Sequence, residues 1–170
     1  MSPPEIDLAP ELIGQVLDAV DKGFERQLAF TQQMMSLDST RGNEHRAQAC
    51  FYEALESRGF EMDQWSIDIA EIEDHPGFSP VKVDYDNAVN VVGTHTPVET
   101  KGRSLILNGH VDVVPTGPVD MWTHPPFEPW IEGDWLYGRG GADMKAGLCA
   151  NLAALDALKT LGWQPAARVH

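Results

Sequence analysis

Residues 108–115 read NGHVDVVP and follow directly on the apolar run Leu105, Ile106 and Leu107. Along an extended strand, residues i and i+2 point the same way. His110 and Asp112 therefore share a side if the strand persists through Val111. A carboxylate that accepts one ring N–H fixes the tautomer of an imidazole and leaves its other nitrogen to a cation. His110 is thus a candidate metal ligand, and Asp112 the catalytic-site residue that braces it. The plainer alternative is a solvated or hydrogen-bonded histidine at a strand end, and a lone His-x-Asp triplet does not choose between them.

A second stretch, GRGGADMKAG at 138–147, places Asp143 at the head of an expected helix. Gly138, Gly140 and Gly141 permit unusual backbone angles and close approach of another group. Asp143 serves either as an N-cap, which aspartate does well, or as a carboxylate whose two oxygens bridge two cations, as in two-metal hydrolases. Three glycines leading into one cap exceed what a cap needs. Arg139 and Lys145 flank this aspartate and are expected to pair with it or with a nearby carboxylate. His124 falls in a proline-rich loop, and His45, His75 and His95 lack partner spacing, so none receives a role.

The elements that must position these residues follow from periodicity. Pro10 opens a helix running to the SLDSTRGNEH break, with Leu12, Val16, Val20, Phe24, Leu28 and Met35 on its apolar stripe. A second helix, EHRAQACFYEALESRG, takes Asn43 as N-cap and Gly59 as its C′ residue. FEMDQWSI alternates as a half-buried strand. The stretch 68–86 reads as an acidic, irregular surface excursion. AVNVVGTH is a β-branched strand. RSLILNGH is apolar enough to be covered on both faces, as in a parallel sheet. The stretch 113–133 holds five prolines, Pro115, Pro118, Pro125, Pro126 and Pro129, and reads as a long stiff loop ordered by Trp122, Phe127 and Trp130. DWLYGRG is a short strand and turn. DMKAGLCANLAALDALKTLG is a helix with Met144, Leu148, Leu152, Leu155 and Leu158 on one stripe and Gly162 at its end. AARVH begins a further strand. Helices alternating with apolar strands predict an α/β layered sheet, whose ligands sit beyond the carboxyl ends of the strands. His110 and Asp143 both fall at that edge.

The bulk numbers set outer bounds. A chain of 170 residues suits one domain or a large piece of one. Its net charge of −14 repels phosphate backbones and anionic lipid, which argues against nucleic acid and membrane surfaces as partners. Two cysteines, Cys50 and Cys149, sit in helical segments without zinc-site spacing and read as buried reduced thiols. A reducing, cytoplasmic compartment follows. The N-terminal MSPPEIDLAPELIG lacks the basic and apolar regions of a signal peptide.

Taken together, SLILNGHVDVVP and WTHPPFEPWIEGDWLYGRGGADMKAGLCANLAAL resemble the M20 family of metallohydrolases, with two motifs in the family's order and spacing. SLDSTRGNE resembles the family's N-terminal segment. The family includes deacetylases, desuccinylases, aminoacylases and carboxypeptidases. The resemblance implies a three-layer α/β/α sandwich of the zinc-peptidase type, incomplete in this chain. It also implies a metal-dependent hydrolase that cleaves the amide bond of a small N-acyl amino acid or short peptide, working through a zinc pair, with cobalt or manganese as alternatives. His110 would ligate one metal, Asp143 would bridge both, and Asp112 would orient His110. The peptide Asp143–Met144 is expected to be cis, and the full-length protein a homodimer.

One departure is large. The family's general base is the first of two adjacent glutamates that follow the next strand, and no Glu-Glu pair occurs in these residues. Residues 1–170 therefore read as the N-terminal portion of an M20 catalytic domain, with the lid and the C-terminal portion outside it, and inactive alone. Exo- or dipeptidase chemistry within the family is an alternative, as is a non-catalytic half-domain acting as a binding or assembly module. An amidohydrolase barrel, which opens on His-x-His, does not match the HVD found here.

Overall fold

The computed structural model describes residues 9–80 and 85–170. Three helices run in order: α1 (Pro10–Ser36), α2 (His45–Glu56) and α3 (Ala146–Thr160). β1 (Glu61–Ser66) pairs antiparallel with β2 (Val89–Thr94), so that Met62 lies opposite Gly93 and Gln64 opposite Val91. β3 (Trp130–Glu132) and β4 (Trp135–Tyr137) form a small hairpin. No helix among the described residues is long and apolar enough to cross a membrane.

Pro10 stands in the first turn of α1, where a missing N–H costs nothing. The apolar stripe expected along this helix is only partly buried. Phe24 is 51% exposed and Val20 also faces solvent. The buried positions are Thr31, Met34 and Met35, in the C-terminal half. Periodicity marks which residues share a face, but the length of the partner sets how far that face is covered, and α3 packs only along part of α1. Asn43 does not cap α2. The N-cap is Glu44, without a side-chain cap bond, and the Asn43 amide instead donates to Thr40 Oγ1. Gly59 and Gly162 do end their helices with positive φ.

Helices and strands meet in two apolar clusters. Met34, Ala47, Val111, Leu148 and Cys149 make one, and Ala54, Leu55 and Leu152 the other, with Met62 and Val91 packed against the second. At roughly 1.5–3 kcal/mol for each fully buried large apolar side chain, these clusters fix the helices on the strands. Cys149 is buried and Cys50 half-buried, and both are free thiols. Burial pushes the Cys149 thiol above its ordinary pKa, consistent with an inert packing role.

RSLILNGH departs from expectation. It forms no extended ladder: Leu105 makes a single parallel bridge to Val169, and Ile106 is 71% exposed. The segment bonds along its edge to Arg168 and His170, but it is not covered on both faces, since Leu105 and Ile106 remain exposed. The proline-rich loop 113–133 is ordered as expected. Trp122 Nε1 donates to the Thr116 carbonyl at 2.9 Å, and Trp130 stacks on Tyr137 at 4.9 Å. Within 68–86, Ile69–Glu71 forms a 3₁₀ turn capped by Asp68; residues 81–84 lie outside the described residues, as do residues 1–8 of the N-terminal stretch.

Arg58 ties the helical layer together. Its Nε and Nη2 grip Asp156 of α3 at 2.9 and 2.8 Å, and its Nη1 donates to Ala54 O at the end of α2. Both side chains are about three-quarters buried. Arg58→Ala is expected to cost about 1–2 kcal/mol in urea unfolding, and Arg58→Lys to recover little, since an ammonium cannot reproduce the fork.

Candidate metal centre

The segment that carries His110 is aligned by the chain leaving α1. Ser39 is fully buried; its Oγ donates to Val111 O at 2.6 Å, and Val113 N–H donates to Ser39 O at 3.0 Å. Thr40 bridges Val113 in parallel. Asp38 holds this corner by accepting from the Thr40 N–H and hydroxyl. Pinned on both sides, Val111 and Val113 turn inward and are about 5% exposed. Strand alternation then sends His110 and Asp112 outward together. The SLDST stretch showed its family likeness in the sequence, but no role for Ser39; only its long-range partner reveals it.

Asp143 arrives from a different direction. Gly140 takes φ +79°, and Lys145 N–H closes the turn onto Gly140 O at 3.0 Å. Asp143 and Met144 have non-helical angles, the peptide between them is cis as expected, and α3 starts only at Ala146. Asp143 therefore does not cap the helix, and its side chain is 86% exposed. The glycines make room for neighbours: a Cβ on Gly141 would meet Met35 Cε at 2.9 Å, and one on Gly140 would meet Val113 Cγ1 at 2.5 Å.

Neither flanking cation pairs with Asp143. Lys145 is fully buried and donates through Nζ to Met34 O at 2.9 Å and Leu37 O at 2.8 Å, at the C-terminal end of α1. Burial pushes its ammonium down to about 8, with the Asp38 charge acting in the other direction. Arg139 lies over the Trp122 ring at 5.0 Å, and its N–H donates to Pro126 O. The orphan carbonyls of a helix end attract the lysine more strongly than an exposed carboxylate does, and an indole face stacks well on a guanidinium.

These segments bring the three singled-out residues together. His110 Nε2 lies 3.1 Å from Asp143 Oδ1. His110 Nδ1 lies 3.1 Å from both the carbonyl and the Oδ1 of Asp112. Desolvation works to lower the imidazole pKa, but the bond to the Asp112 carbonyl and the charges of Asp112 and Asp143 outweigh it and hold the group above the ordinary histidine range. His124 lies tilted against Trp130 at 4.3 Å, and the His95 backbone pairs with Val169.

The donor set suits part of a divalent-metal site. Two ligands of one tetrahedral zinc stand about 3.4 Å apart, given bonds of roughly 2.1 Å, and the observed 3.1 Å separation is a few tenths short of that. An imidazole nitrogen whose other nitrogen is held by a carboxylate is the usual form of a zinc-binding histidine. Asp112 touches Nδ1, on the far side of the ring, so it cannot share a cation with Nε2. No group of three or more His, Cys, Asp or Glu side chains suited to a metal converges among the described residues.

The structure thus joins an α/β chain to an imidazole and a carboxylate that meet at the strand edge. Comparisons with known proteins give the family. Residues 106–170 match Peptidase family M20/M25/M40. The chain is 33% identical over 129 residues to a succinyl-diaminopimelate desuccinylase of Psychromonas ingrahamii, an alignment covering 76% of this chain and 29% of that protein. A desuccinylase of Methylobacillus flagellatus is 54% identical over 56 residues, 33% of this chain and 15% of that one. Human carnosine dipeptidase 1 superposes with a TM-score of 0.70 at 20% identity, over 93% of this chain and 33% of the dipeptidase, a likeness of fold alone. The chain belongs to the M20 peptidase family and has its α/β fold, and it spans about 29% of the length of the first of these relatives.

Proposed function

We propose that this chain is the part of a metal-dependent amide hydrolase that supplies one terminal ligand and the shared carboxylate of a metal pair. The observation that carries this reading is the meeting of His110 Nε2 and Asp143 Oδ1 at 3.1 Å, with Asp112 on the opposite ring nitrogen. His110 would hold one zinc and Asp143 both, and the bound pair supplies Lewis acidity toward the scissile carbonyl. Asp112 keeps the His110 proton on Nδ1, so that Nε2 offers its lone pair. The buried Ser39–Val111 contact keeps the imidazole facing outward. The substrate of the whole protein is a small N-acyl amino acid; the desuccinylases among its sequence relatives support a succinyl or similar acyl group. Exopeptidase cleavage of a short peptide is the second reading, favoured by a staphylococcal tripeptidase at 26% identity and a TM-score of 0.55. The free thiols of Cys50 and Cys149 suit a reducing, cytoplasmic setting.

Two ligands are fewer than the four of a closed zinc site. The 170-residue chain is therefore expected to bind zinc weakly and to hydrolyse neither N-succinyl amino acids nor dipeptides. Isothermal titration should lose the zinc signal in His110→Ala and weaken it about 10- to 100-fold in Asp112→Ala. Unchanged zinc binding in His110→Ala would sink the ligand assignment, and measurable turnover by the chain itself would sink the expectation of inactivity.

A further inference from the structure

The loop 113–129 leaves the candidate site at one end and returns toward it at the other. It starts directly after Asp112 and leads, through the hairpin β3–β4, into the glycine turn that carries Asp143. Three points along it meet a single residue of that turn, Arg139. The Arg139 main-chain N–H donates to Pro126 O at 2.7 Å. Its guanidinium lies 5.0 Å from the centre of the Trp122 ring, and its Nη2 donates to Pro115 O at 3.4 Å. Trp122 in turn donates from Nε1 to Thr116 O at 2.9 Å, so ring, guanidinium and the Pro115–Thr116 backbone hold one another.

These contacts need a guanidinium. A planar cation stacks on an indole and donates from its rim at once, which a compact ammonium does not. Arg139 keeps this arrangement at a cost: its Nε is shut off from solvent and has no partner among the described residues. A buried donor left unpaired costs about 1–3 kcal/mol, and a side chain free to swing away would turn that N–H to water. Trp122 and Pro115 therefore hold it in place. Arg139 also stands beside Gly140, where an added Cβ would meet Val113 Cγ1 at 2.5 Å. Val113 and Pro115 continue the segment that presents His110 and Asp112, and Gly140 belongs to the turn that presents Asp143. The Arg139 contacts and the Gly140–Val113 contact thus span the same two segments.

We propose that Arg139 is a positioning residue: it sets the approach of His110 to Asp143 by clamping the chain that leaves Asp112 to the turn that enters Asp143. It acts through Pro115 and Trp122 rather than on either side chain. The apolar Gly140–Val113 contact limits how close the two segments come, whereas the Arg139 clamp limits how far they part. Without the clamp, the segment beginning at Val113 is free to carry the imidazole away from Asp143 Oδ1, which now lies 3.1 Å from Nε2. The clamp sets this distance whether or not a metal binds there; only its effect on zinc rests on the metal reading above.

In the 170-residue chain, the nuclear Overhauser cross-peak between the His110 ring protons and the Asp143 Hβ protons reports that distance. Arg139→Ala and Arg139→Lys are expected to lose the cross-peak while staying folded, and to bind zinc about tenfold more weakly by isothermal titration. Arg58→Ala, which breaks the ion pair to Asp156 of α3, should keep the cross-peak when compared at the same interval below its melting midpoint. A cross-peak kept in either Arg139 variant overturns the proposal. So does its loss in Arg58→Ala, which would trace the effect to stability alone, and so does its absence from the wild-type chain. If Arg139→Ala fails to fold, Arg139→Lys decides alone. A lost cross-peak with zinc binding unchanged, or a wild-type chain that binds no zinc, would sink the metal reading and leave the clamp to be judged by the cross-peak.

Discussion

Lys145→Met is expected to lower folding stability by about 2–4 kcal/mol. The side chain has no solvent exposure, and its ammonium is shared between Met34 O and Leu37 O. Methionine fills the same channel but donates nothing, so Met34 O is left with only its long 3.4 Å bond from the Leu37 N–H, and the part-buried Leu37 O loses this donor. Relief from burying a charge offsets part of the loss, in keeping with burial pushing the lysine pKa down to about 8. Charge-assisted bonds to carbonyls contribute more than neutral ones, so the balance remains a loss. Thermal melts should show a midpoint lower by roughly 5–15 °C. The same substitution should loosen the turn that aims Asp143, since the Lys145 side chain ties that turn to the end of α1 through Met34 O and Leu37 O. A loss below about 0.5 kcal/mol would class Lys145 with ordinary surface positions and remove its proposed part in holding the site.

Gly140→Ala should be comparably damaging, for two separable reasons. The backbone at Gly140 has φ +79°, where an L side chain is strained, and an added Cβ would stand 2.5 Å from Val113 Cγ1. Strain in the left-handed region costs about 1–2 kcal/mol, and overpacking a fixed neighbour adds about 1–3 more. Gly162→Ala isolates the first effect: its φ is +77°, yet nothing lies within 4 Å of the new methyl. Urea unfolding of the two variants should therefore place Gly140→Ala about 1–3 kcal/mol below Gly162→Ala. Equal losses would mean that Val113 yields without cost and that the Gly140 corner is softer than its packing indicates. Because Val113 is held by Ser39, the strain at Gly140 should also reach the His110 segment and weaken zinc binding.

Several features of this chain depend on local rules, and those were legible in the residues. Pro10, Gly59 and Gly162 bound helices because their backbone preferences allow little else. FEMDQWSI and the β-branched run in AVNVVGTH do form paired strands, but the expected alternation is not seen: within Glu61–Ser66 only Met62 is sheltered and Trp65 stays exposed. His110 and Asp112 point the same way because the strand period is two. The family likeness came from the same stretches.

Other features required the chain to fold back on itself. Asn43 looks like a cap by spacing, yet Thr40 claims its amide. Phe24 lies on an apolar stripe but stays exposed, because a stripe is buried only where a partner helix reaches. Lys145 and Arg139 beside an aspartate read as ion pairs, whereas the buried carbonyls of α1 and the Trp122 ring offer them better company. The 3.1 Å meeting of His110 and Asp143 joins segments 33 residues apart. Local sequence determined where each of these two side chains sits along its own element. Only the packing of α1 against the glycine turn, through Met35, Lys145 and Ser39, decided that they face each other, because contacts between distant segments depend on shape complementarity that no short window of residues encodes.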